Sequence, residues 1–548
     1  MNGTAYLDTF ANDKLPPRDQ WPEMLYELDD LRYPERINCA HELLDAMVEK
    51  GHGASLAVRG ASLGWTYAEL LETVDRIAGV LRDELKLVTG NRVLLRGANH
   101  PMMAACVLAV WKAGYVAVPT MPLLRARELG TILGLARVDA VLCAADLRAE
   151  LDAACREAEV PPRVVSFNDT APGSLEALMA AMPPRFEAVD TAAEDVCLLS
   201  FTSGTTGRPK GTMHFHRDVL AVCDCFPRSQ LATRPADVFI GTPPLAFTFG
   251  LGGMLLFPLR YGASTVLLEK LTPDALLAAI AQYRATVCFT APTFYRQMAP
   301  LAGKHDLSSL TRSVSAGEAL PLQTRQAWQE ATGLAMIDGI GSTEMLHIFI
   351  SSAGDAIRPG ATGRPIPGYR ACILDDDGNP VEAGVVGRLA VKGPTGCRYL
   401  ADPRQLDYVC KGWNLTGDAY RMDEDGYYWY QARTDDMIIS AGYNIAGPEV
   451  EDALLQHPAV AECGVVGAPD AERGQLVLAY VVLRAGIEAS AEMAKALQDH
   501  VKQTVAPYKY PRRIEFRTAL PRTDTGKLQR FKLRQEAQHA AQYTPETS

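Results

Sequence analysis

The first three-quarters of the chain alternates amphipathic stretches with short apolar runs. Residues 67–85 (YAELLETVDRIAGVLRDEL) and 102–114 (MMAACVLAVWKAG) repeat apolar positions at helical spacing, and each precedes a β-branched or apolar run, at 92–98 and 115–120. The same helix-to-strand order recurs in DALLAAIAQYRATVCFTAP at 274–292. This rhythm predicts an α/β fold.

The pattern changes after about residue 360, where short strand-like segments are separated by glycine and proline. In GRPIPGYRACILDDDGNPVEAGVVGRLAVKG the sequence DDDGNP supplies a hairpin-type turn between two alternating segments. From Asp435 onward the tail again alternates strand and helix patterns. We therefore predict a large N-terminal domain at 1–434, with α/β sheet subdomains plus a β-rich subdomain, and a small C-terminal α+β domain at 435–548.

Charge and composition narrow the classes of function. The 548 residues include 54 basic and 65 acidic side chains, for a net charge of −11, which disfavours a nucleic-acid partner. The N-terminus lacks a basic region followed by an apolar stretch, so no export signal is predicted. The longest apolar stretches are interrupted by Lys112 or are short and glycine-rich. We expect a cytoplasmic protein with no membrane partner.

The twelve cysteines are scattered along the sequence. The one close pair, Cys223 and Cys225, lacks the second pair or the histidine spacing of a zinc site. Free thiols in a reducing compartment are expected, and no cysteine is marked as catalytic.

The segment LSFTSGTTGRPKG at 199–211 joins an apolar strand to a loop of Ser, Thr and Gly that closes on Lys210. Glycines let backbone N–H groups turn toward an anion, hydroxyls add donors, and the lysine adds a positive charge. The spacing is not that of a Walker loop. The alternative is an ordinary flexible turn, but this composition directly after a strand favours phosphate binding.

With this loop the chain resembles the adenylate-forming family of acyl-CoA synthetases, nonribosomal adenylation domains and luciferases. Four further motifs appear in the family's order: IGSTE at 340–344, TGD at 416–418, RTDDMIISAGYNI at 433–445 and PRTDTGK at 521–527. The resemblance implies an enzyme that uses ATP and Mg²⁺ to convert a carboxylate into its acyl-AMP. It also implies a small mobile C-terminal domain.

Several motif residues also have a chemical interpretation that does not depend on the resemblance. Glu344 suits a hard cation held between phosphates, and the alternative is an exposed loop glutamate. Asp418 can accept hydrogen bonds from both ribose hydroxyls, and the alternative is a turn aspartate. Arg433 offers bidentate geometry to an anion. Ile340 stands where the family usually has a tyrosine that stacks on adenine.

The resemblance implies roles for three residues of the C-terminal part. Lys527 would bridge the substrate carboxylate and the α-phosphate. Without the resemblance it would be interpreted as an exposed, solvated lysine. Asp435 occupies the hinge position, and its alternative is a capping or surface aspartate. Gly442 would line the tunnel for the pantetheine arm of coenzyme A.

The resemblance also implies roles for residues along the whole set of motifs. Catalysis is assigned to Lys527, Glu344, Thr202 and Lys210, with Glu344 also the metal ligand. Nucleotide and coenzyme A binding is assigned to Ser203, Gly204, Thr205, Thr206, Gly207, Gly317, Glu318, Asp338, Gly339, Ile340, Gly341, Ser342, Thr343, Asp418, Arg433 and Gly442.

The acid is predicted from the segments PPLAFTFGLGG, SVSAGEALP and DGIGSTEMLHIFIS, which follow the phosphate loop. Phenylalanines opposed to glycine and alanine make a flat, short slot that suits a ring. The predicted substrate-binding residues are Phe247, Phe249, Gly250, Ala316, Gly339 and His347. His347 is interpreted as contacting the carboxylate or an ortho amino group, or as a satisfied pocket histidine.

These segments are similar to benzoate-CoA ligases, while PPRDQWPEM and ANHPMMAACVLAVWKAGYVAVPTMPLLRAREL look more like 2-aminobenzoate-CoA ligases. The leading hypothesis is an ATP-dependent aryl-CoA ligase acting on 2-aminobenzoate or, next, benzoate, with coenzyme A as acceptor. Two alternatives are a free-standing adenylation enzyme that loads a carrier protein and a non-catalytic nucleotide-binding regulator. A non-catalytic regulator would be expected to have lost Glu344, Arg433 or Lys527, and all three are present.

Overall fold

The computed structural model describes residues 3–202, 209–440, 443–470, 473–505, 507–522 and 528–542. Side chains are described in these ranges except at positions 435, 443, 444, 507, 541 and 542.

A six-stranded sheet carries the phosphate-loop hairpin at its edge. Its strands are parallel except for the last pair, which is antiparallel. Three of its inner strands are buried along their whole length, which explains why their central residues are apolar. In spatial order the strands are Arg163–Phe167, Ala140–Ala144, Arg92–Arg96, Val116–Thr120, Val196–Thr202 and Lys210–Phe215.

A second sheet of the large domain has nine strands, which are parallel in the middle of the sheet and antiparallel at both edges. In spatial order its strands are Arg364–Pro365, Ile348–Ser351, Met336–Gly341, Arg312–Ala316, Val287–Thr290, Val238–Gly241, Ser264–Val266, Leu56–Arg59 and Gly64–Thr66.

Helices connect and cover these sheets. Pro101–Lys112 begins with proline at its first position, where no N–H is needed, and buries every one of its residues in the largest apolar core. The other α-helices up to residue 408 are Phe10–Asp13, Tyr67–Gly79, Ala126–Ala136, Arg148–Glu157, Leu175–Met179, His216–Phe226, Thr248–Leu251, Phe257–Arg260, Pro273–Tyr283, Pro292–Met298, Leu322–Thr332 and Gln405–Tyr408.

The region after residue 360 forms a five-stranded antiparallel sheet, as its sequence pattern indicates. In the DDDGNP turn the Asp375 N–H donates to the Asn379 carbonyl and the Gly378 N–H donates to the Asp375 carbonyl, with Gly378 at a φ of +76°. The strands are Arg370–Leu374, Val386–Lys392, Val409–Cys410, Trp413–Met422 and Tyr428–Arg433.

The C-terminal part has its own sheet and apolar clusters. Its strands are Ile438–Ser440, Tyr443–Ile445, Val460–Asp470, Gly474–Leu483 and Arg513–Phe516, and its α-helices are Gly447–Leu455, Ala491–Thr504 and Arg530–Gln542. The predicted fold class, α/β with a large N-terminal and a small C-terminal domain, is confirmed. Among the described residues, no helix combines the length and the apolar character that crossing a bilayer requires.

Candidate active site

The phosphate-loop segment is framed by a regular β-hairpin. Val196–Thr202 and Lys210–Phe215 pair antiparallel, with Thr202 opposite Lys210 at the open end. The two predicted catalytic residues of this segment therefore face each other where the loop begins and ends. The predicted binding residues Ser203, Gly204, Thr205, Thr206 and Gly207 lie outside the described residues.

A chain of polar contacts joins the hairpin to Glu344. The Lys210 ammonium donates to the Tyr399 hydroxyl at 2.9 Å, and this hydroxyl donates to Oε1 of Glu344 at 2.5 Å. Lys210 Nζ itself lies 3.8 Å from Oε1 of Glu344. Burial, followed by the charge of Glu344, raises the pKa of Tyr399 far above its ordinary value, so the hydroxyl stays protonated.

Glu344 stands on a tight turn at the end of the strand Met336–Gly341. The Leu346 N–H donates to the Thr343 carbonyl, and Leu346 has a φ of +67°, a left-handed conformation that costs energy for a branched residue. The His214 ring contacts the Thr343 carbonyl at 2.8 Å, and the Met345 N–H donates to the Ser342 hydroxyl at 3.2 Å. The hairpin thus helps to hold this turn.

The predicted ribose-binding pair lies on neighbouring strands. Asp418 is opposite Arg433, and Nη1 of Arg433 lies 3.2 Å from Oδ1 of Asp418 and donates to the Thr416 carbonyl. Gly417 has a φ of +75°, and a Cβ there would lie 2.7 Å from Nη2 of Arg433. The positive φ favours glycine at this position, and the absence of a Cβ leaves room for the end of the Arg433 side chain.

Other predicted nucleotide-binding residues gather at the carboxyl ends of two parallel strands, Arg312–Ala316 and Met336–Gly341, the edge where α/β sheets bind ligands. Ala316 pairs with Gly339, and Gly317 follows with a φ of +87°. Glu318 accepts a hydrogen bond from the Thr293 hydroxyl at 2.6 Å.

Asp338 and Ile340 belong to the same strand edge. Burial raises the pKa of Asp338 to about 7. Ile340 packs against the main apolar core. A Cβ at Gly339 would lie 2.8 Å from the Ile348 side chain, and one at Gly341 would lie 2.6 Å from the His347 carbonyl. Both glycines therefore permit close approach of the following segment.

His347 lies in a cage of four phenylalanines. Its ring centroid is 4.4 Å from Phe257, 5.5 Å from Phe226, 5.7 Å from Phe249 and 6.4 Å from Phe289. Burial lowers the pKa of His347 to about 3, so the ring is neutral at pH 7. Neither ring nitrogen makes a hydrogen bond of normal geometry with the described residues, although the Phe249 backbone lies nearby.

The remaining predicted substrate-binding residues lie at the cage or beside it. Phe249 contacts His347, whereas Phe247 is 36% exposed and has no ring contact with His347 among the described residues. A Cβ at Gly250 would lie 2.1 Å from the Pro244 carbonyl oxygen, so this glycine serves backbone packing.

Three predicted residues of the C-terminal part also have no described side-chain position. Asp435 lies in the short turn Thr434–Asp436, and its side chain is outside the described set. Gly442 and Lys527 lie outside the described residues altogether.

The structure adds residues that the sequence did not single out. Tyr399 links the lysine to the glutamate, and Tyr408 packs edge-on against Tyr399 with its hydroxyl 3.3 Å from that of Ser342. Gly252 makes room for His347, since a Cβ there would lie 2.4 Å from the ring. Nothing local in the sequence marks these positions, because each matters only through a partner far along the chain.

We expect Tyr399→Phe to slow adenylate formation about tenfold and to lower stability by about 1.5–3 kcal/mol, since one charge-assisted hydrogen bond to buried Glu344 is lost. Pyrophosphate exchange and the midpoint of thermal unfolding measure both effects. Tyr408→Phe is the matched control, because its partner is a neutral hydroxyl. Equal effects in the two variants would contradict a special role for the Lys210–Tyr399–Glu344 chain.

Comparison with known proteins agrees with this geometry. Residues 46–399 match the AMP-binding enzyme family and residues 449–527 match the AMP-binding enzyme C-terminal domain. The benzoate–CoA ligase of Thauera aromatica is 36% identical over 513 residues, which cover 92% of this chain and 97% of that protein.

Two solved structures are similar over nearly the whole chain. The anthranilate CoA ligase AuaEII in complex with anthranoyl-AMP has a TM-score of 0.89 and 33% identity, with coverage of 94% of this chain and 100% of that one. A benzoate CoA ligase from Burkholderia xenovorans LB400 has a TM-score of 0.83 and 33% identity, with coverage of 91% and 100%. The predicted resemblance to the adenylate-forming family is confirmed. The chain belongs to the AMP-binding enzyme family and is an enzyme of the acid–thiol ligase class.

Proposed function

We propose that the chain is an ATP-dependent aryl-CoA ligase that activates 2-aminobenzoate, or next benzoate, as its acyl-AMP and transfers it to coenzyme A. The observation that carries the proposal is the turn that bears both Glu344 and His347. Glu344 continues the polar chain from Lys210, while His347, three residues on, enters an aromatic cage. One turn therefore holds both the carboxylate proposed for the nucleotide side of the site and the imidazole proposed for the aromatic substrate.

In the first half-reaction, the phosphates of ATP lie along the loop between Thr202 and Lys210, and Asp418 binds the ribose. The substrate carboxylate oxygen attacks the α-phosphorus, the bond to the bridging oxygen breaks, and pyrophosphate leaves. We assign to Lys527 the role of the cation between carboxylate and phosphate, where a positive charge would offset their repulsion. Positioning and electrostatics supply most of the rate in such a displacement.

Glu344 is the residue that we propose holds Mg²⁺. Its carboxylate is mostly buried, its Oε1 atom faces Tyr399 and Lys210, and carboxylate oxygen is the ligand type that Mg²⁺ takes. These features fit the ion. When bound, Mg²⁺ neutralises charge on phosphate oxygens.

In the second half-reaction, the thiolate of coenzyme A attacks the acyl carbon and AMP leaves. We propose a boundary between 434 and 435, with the hinge at Asp435 and the pantetheine tunnel at Gly442. The boundary is supported by Ile438–Ser440, which pairs with Gly474–Leu483 of the small domain. Arg534 of the last helix also contacts Asp436.

The aromatic acid is supported by the cage. Phenylalanine rings favour offset or edge-on contact with another ring, and His347 is the polar group buried among them. A neutral imidazole with an unpartnered nitrogen can accept a hydrogen bond from an aryl amine. This favours 2-aminobenzoate, in line with the names of the anthranilate and benzoate CoA ligases that the chain resembles.

The direct test is AMP release, dependent on ATP and coenzyme A, across 2-aminobenzoate, benzoate, hydroxybenzoates, cinnamate and medium-chain fatty acids. We expect the highest kcat/KM for 2-aminobenzoate. A fatty acid with the highest value would overturn the aromatic assignment. AMP release that needs a carrier protein instead of coenzyme A would support the carrier-loading alternative.

We expect His347→Leu to lower the ratio of kcat/KM for 2-aminobenzoate over benzoate by about fivefold, because one buried hydrogen bond is worth about 1 kcal/mol. Benzoate serves as the internal control, since it lacks the amine but has the same ring and carboxylate. An unchanged ratio would assign His347 a purely packing role.

A further inference from the structure

A second cluster of reactive side chains lies in the core, away from Glu344. Cys39, Cys197 and His216 are fully buried, and one ligand atom from each lies within 4.8 Å of the others. Nδ1 of His216 is 3.1 Å from the Cys39 sulfur. The three residues are far apart in sequence, which is why cysteine spacing alone does not reveal the cluster.

Rigid backbone holds each member in place. The Asn38 side chain donates to the carbonyls of Trp111 at 2.9 Å and Val189 at 3.0 Å, which fixes the segment before Cys39. The Trp111 indole N–H donates to the Cys197 carbonyl at 2.8 Å. Cys197 lies on the strand Val196–Thr202, and His216 begins the helix that follows the paired strand. Such support preorganises a ligand site.

Only one of the two ring nitrogens of His216 has a hydrogen-bond partner among the described residues. Nδ1 of His216 accepts from the Cys39 N–H at 3.2 Å, but Nε2 is buried and has no hydrogen-bond partner in the described part of the chain. With the ring proton on Nε2, the Nδ1 lone pair faces the Cys39 sulfur 3.1 Å away and can serve as a ligand atom. Two thiols and one imidazole also form a ligand set that is known from metal proteins.

We propose that Cys39, Cys197 and His216 form a binding site for one thiophilic d10 metal ion. Thiolate sulfur selects Zn²⁺ or Cu⁺, whereas Mg²⁺ and Ca²⁺ require oxygen ligands. Two thiolates cancel the charge of a divalent ion, so such a site adds no net charge to the core. Three ligands leave one tetrahedral position of Zn²⁺ unfilled, and they complete a trigonal set for Cu⁺.

The ion would tie the start of the large domain to the base of the phosphate-loop hairpin. Val196, beside Cys197, pairs with Phe215, beside His216, so both strands of the hairpin reach the cluster. Cys39 comes from a segment that packs across them. Because an ion that binds only the folded chain stabilises it, the loaded protein should unfold at higher temperature.

The test begins with full-length protein from cells grown with added Zn²⁺ or Cu⁺, since the buried site acquires its ion during folding. Metal analysis of the isolated protein should find one ion per chain, and X-ray absorption at the metal edge should show two sulfur ligands and one nitrogen. Comparing the metal content after growth with Zn²⁺ and after growth with Cu⁺ distinguishes the two ions. The thermal midpoint should fall when the ion is removed by unfolding and refolding with a chelator.

Cys39→Ser, Cys197→Ser and His216→Asn should each lose the ion, while Cys223→Ser, another buried cysteine outside the cluster, should retain it. Circular dichroism and benzoate-dependent AMP release show that each variant has folded. Metal-free parent protein from both media would overturn the proposal. Retention of the ion by the three variants would also overturn it, as would a Cys39–Cys197 disulfide found by mass spectrometry in the freshly isolated chain.

Discussion

Lys527→Ala should reduce formation of the aryl-adenylate at least a hundredfold while thioester formation from preformed acyl-AMP stays near the parental rate. The reason is electrostatic. A carboxylate approaching an anionic α-phosphate meets repulsion that one positioned cation offsets, and a group of this kind is worth about 10²–10³ in rate. In the second half-reaction the thiolate attacks the acyl carbon of the adenylate instead of the α-phosphorus, so this step does not need that cation. Single-turnover kinetics with synthetic 2-aminobenzoyl-AMP separates the two steps.

Two variants serve as controls for this experiment. Lys532→Ala removes an exposed lysine from the helix Arg530–Gln542 and should change neither half-reaction. Gly442→Leu should give the reverse pattern, with normal pyrophosphate exchange but little thioester, because a leucine side chain would fill the proposed tunnel. Equal loss of both half-reactions in Lys527→Ala would refute the assigned role.

Glu344→Gln should lower the rate of adenylate formation by about a hundredfold and raise the Mg²⁺ concentration needed for half-maximal rate. The amide oxygen can still accept the hydrogen bond from Tyr399, so the turn should keep its shape. What is lost is the negative charge, on which a hard cation depends. Pyrophosphate exchange measured against Mg²⁺ concentration gives both quantities.

Glu330→Gln, an exposed glutamate on the helix Leu322–Thr332, is the matched control for charge alone. Its Mg²⁺ dependence should equal that of the parent. A parental Mg²⁺ dependence in Glu344→Gln would show that the ion is held elsewhere, even if the rate falls.

The fold could be predicted from the sequence because its signals are local. The helix Pro101–Lys112 and the strand Val116–Thr120 follow from unbroken apolar runs separated by a glycine turn. The hairpin between Ile373 and Leu389 follows from DDDGNP. In both cases the residues that decide the structure are neighbours in sequence, so pattern and structure agree.

The contacts of the candidate site were predictable only in part. Glu344 and Lys210 are marked by motifs, whereas Tyr399 becomes visible only when its hydroxyl is found between them. The cage around His347 draws rings from separate helices and strands, so no spacing rule predicts it. The Cys39 cluster likewise joins a segment near the start of the chain to a hairpin far along the sequence, so no spacing rule reveals it.

The turn that carries Glu344 and His347 has a consequence for protein engineering. Because Leu346 already holds a left-handed conformation between them, we expect a bulky change at position 347 to strain the turn and to shift the Glu344 carboxylate. Selection for new acids through His347 should therefore trade turnover for specificity. Phe249, Phe257 and Phe289 belong to other segments, so libraries built at those three positions can reshape the cage while leaving the turnover number largely intact.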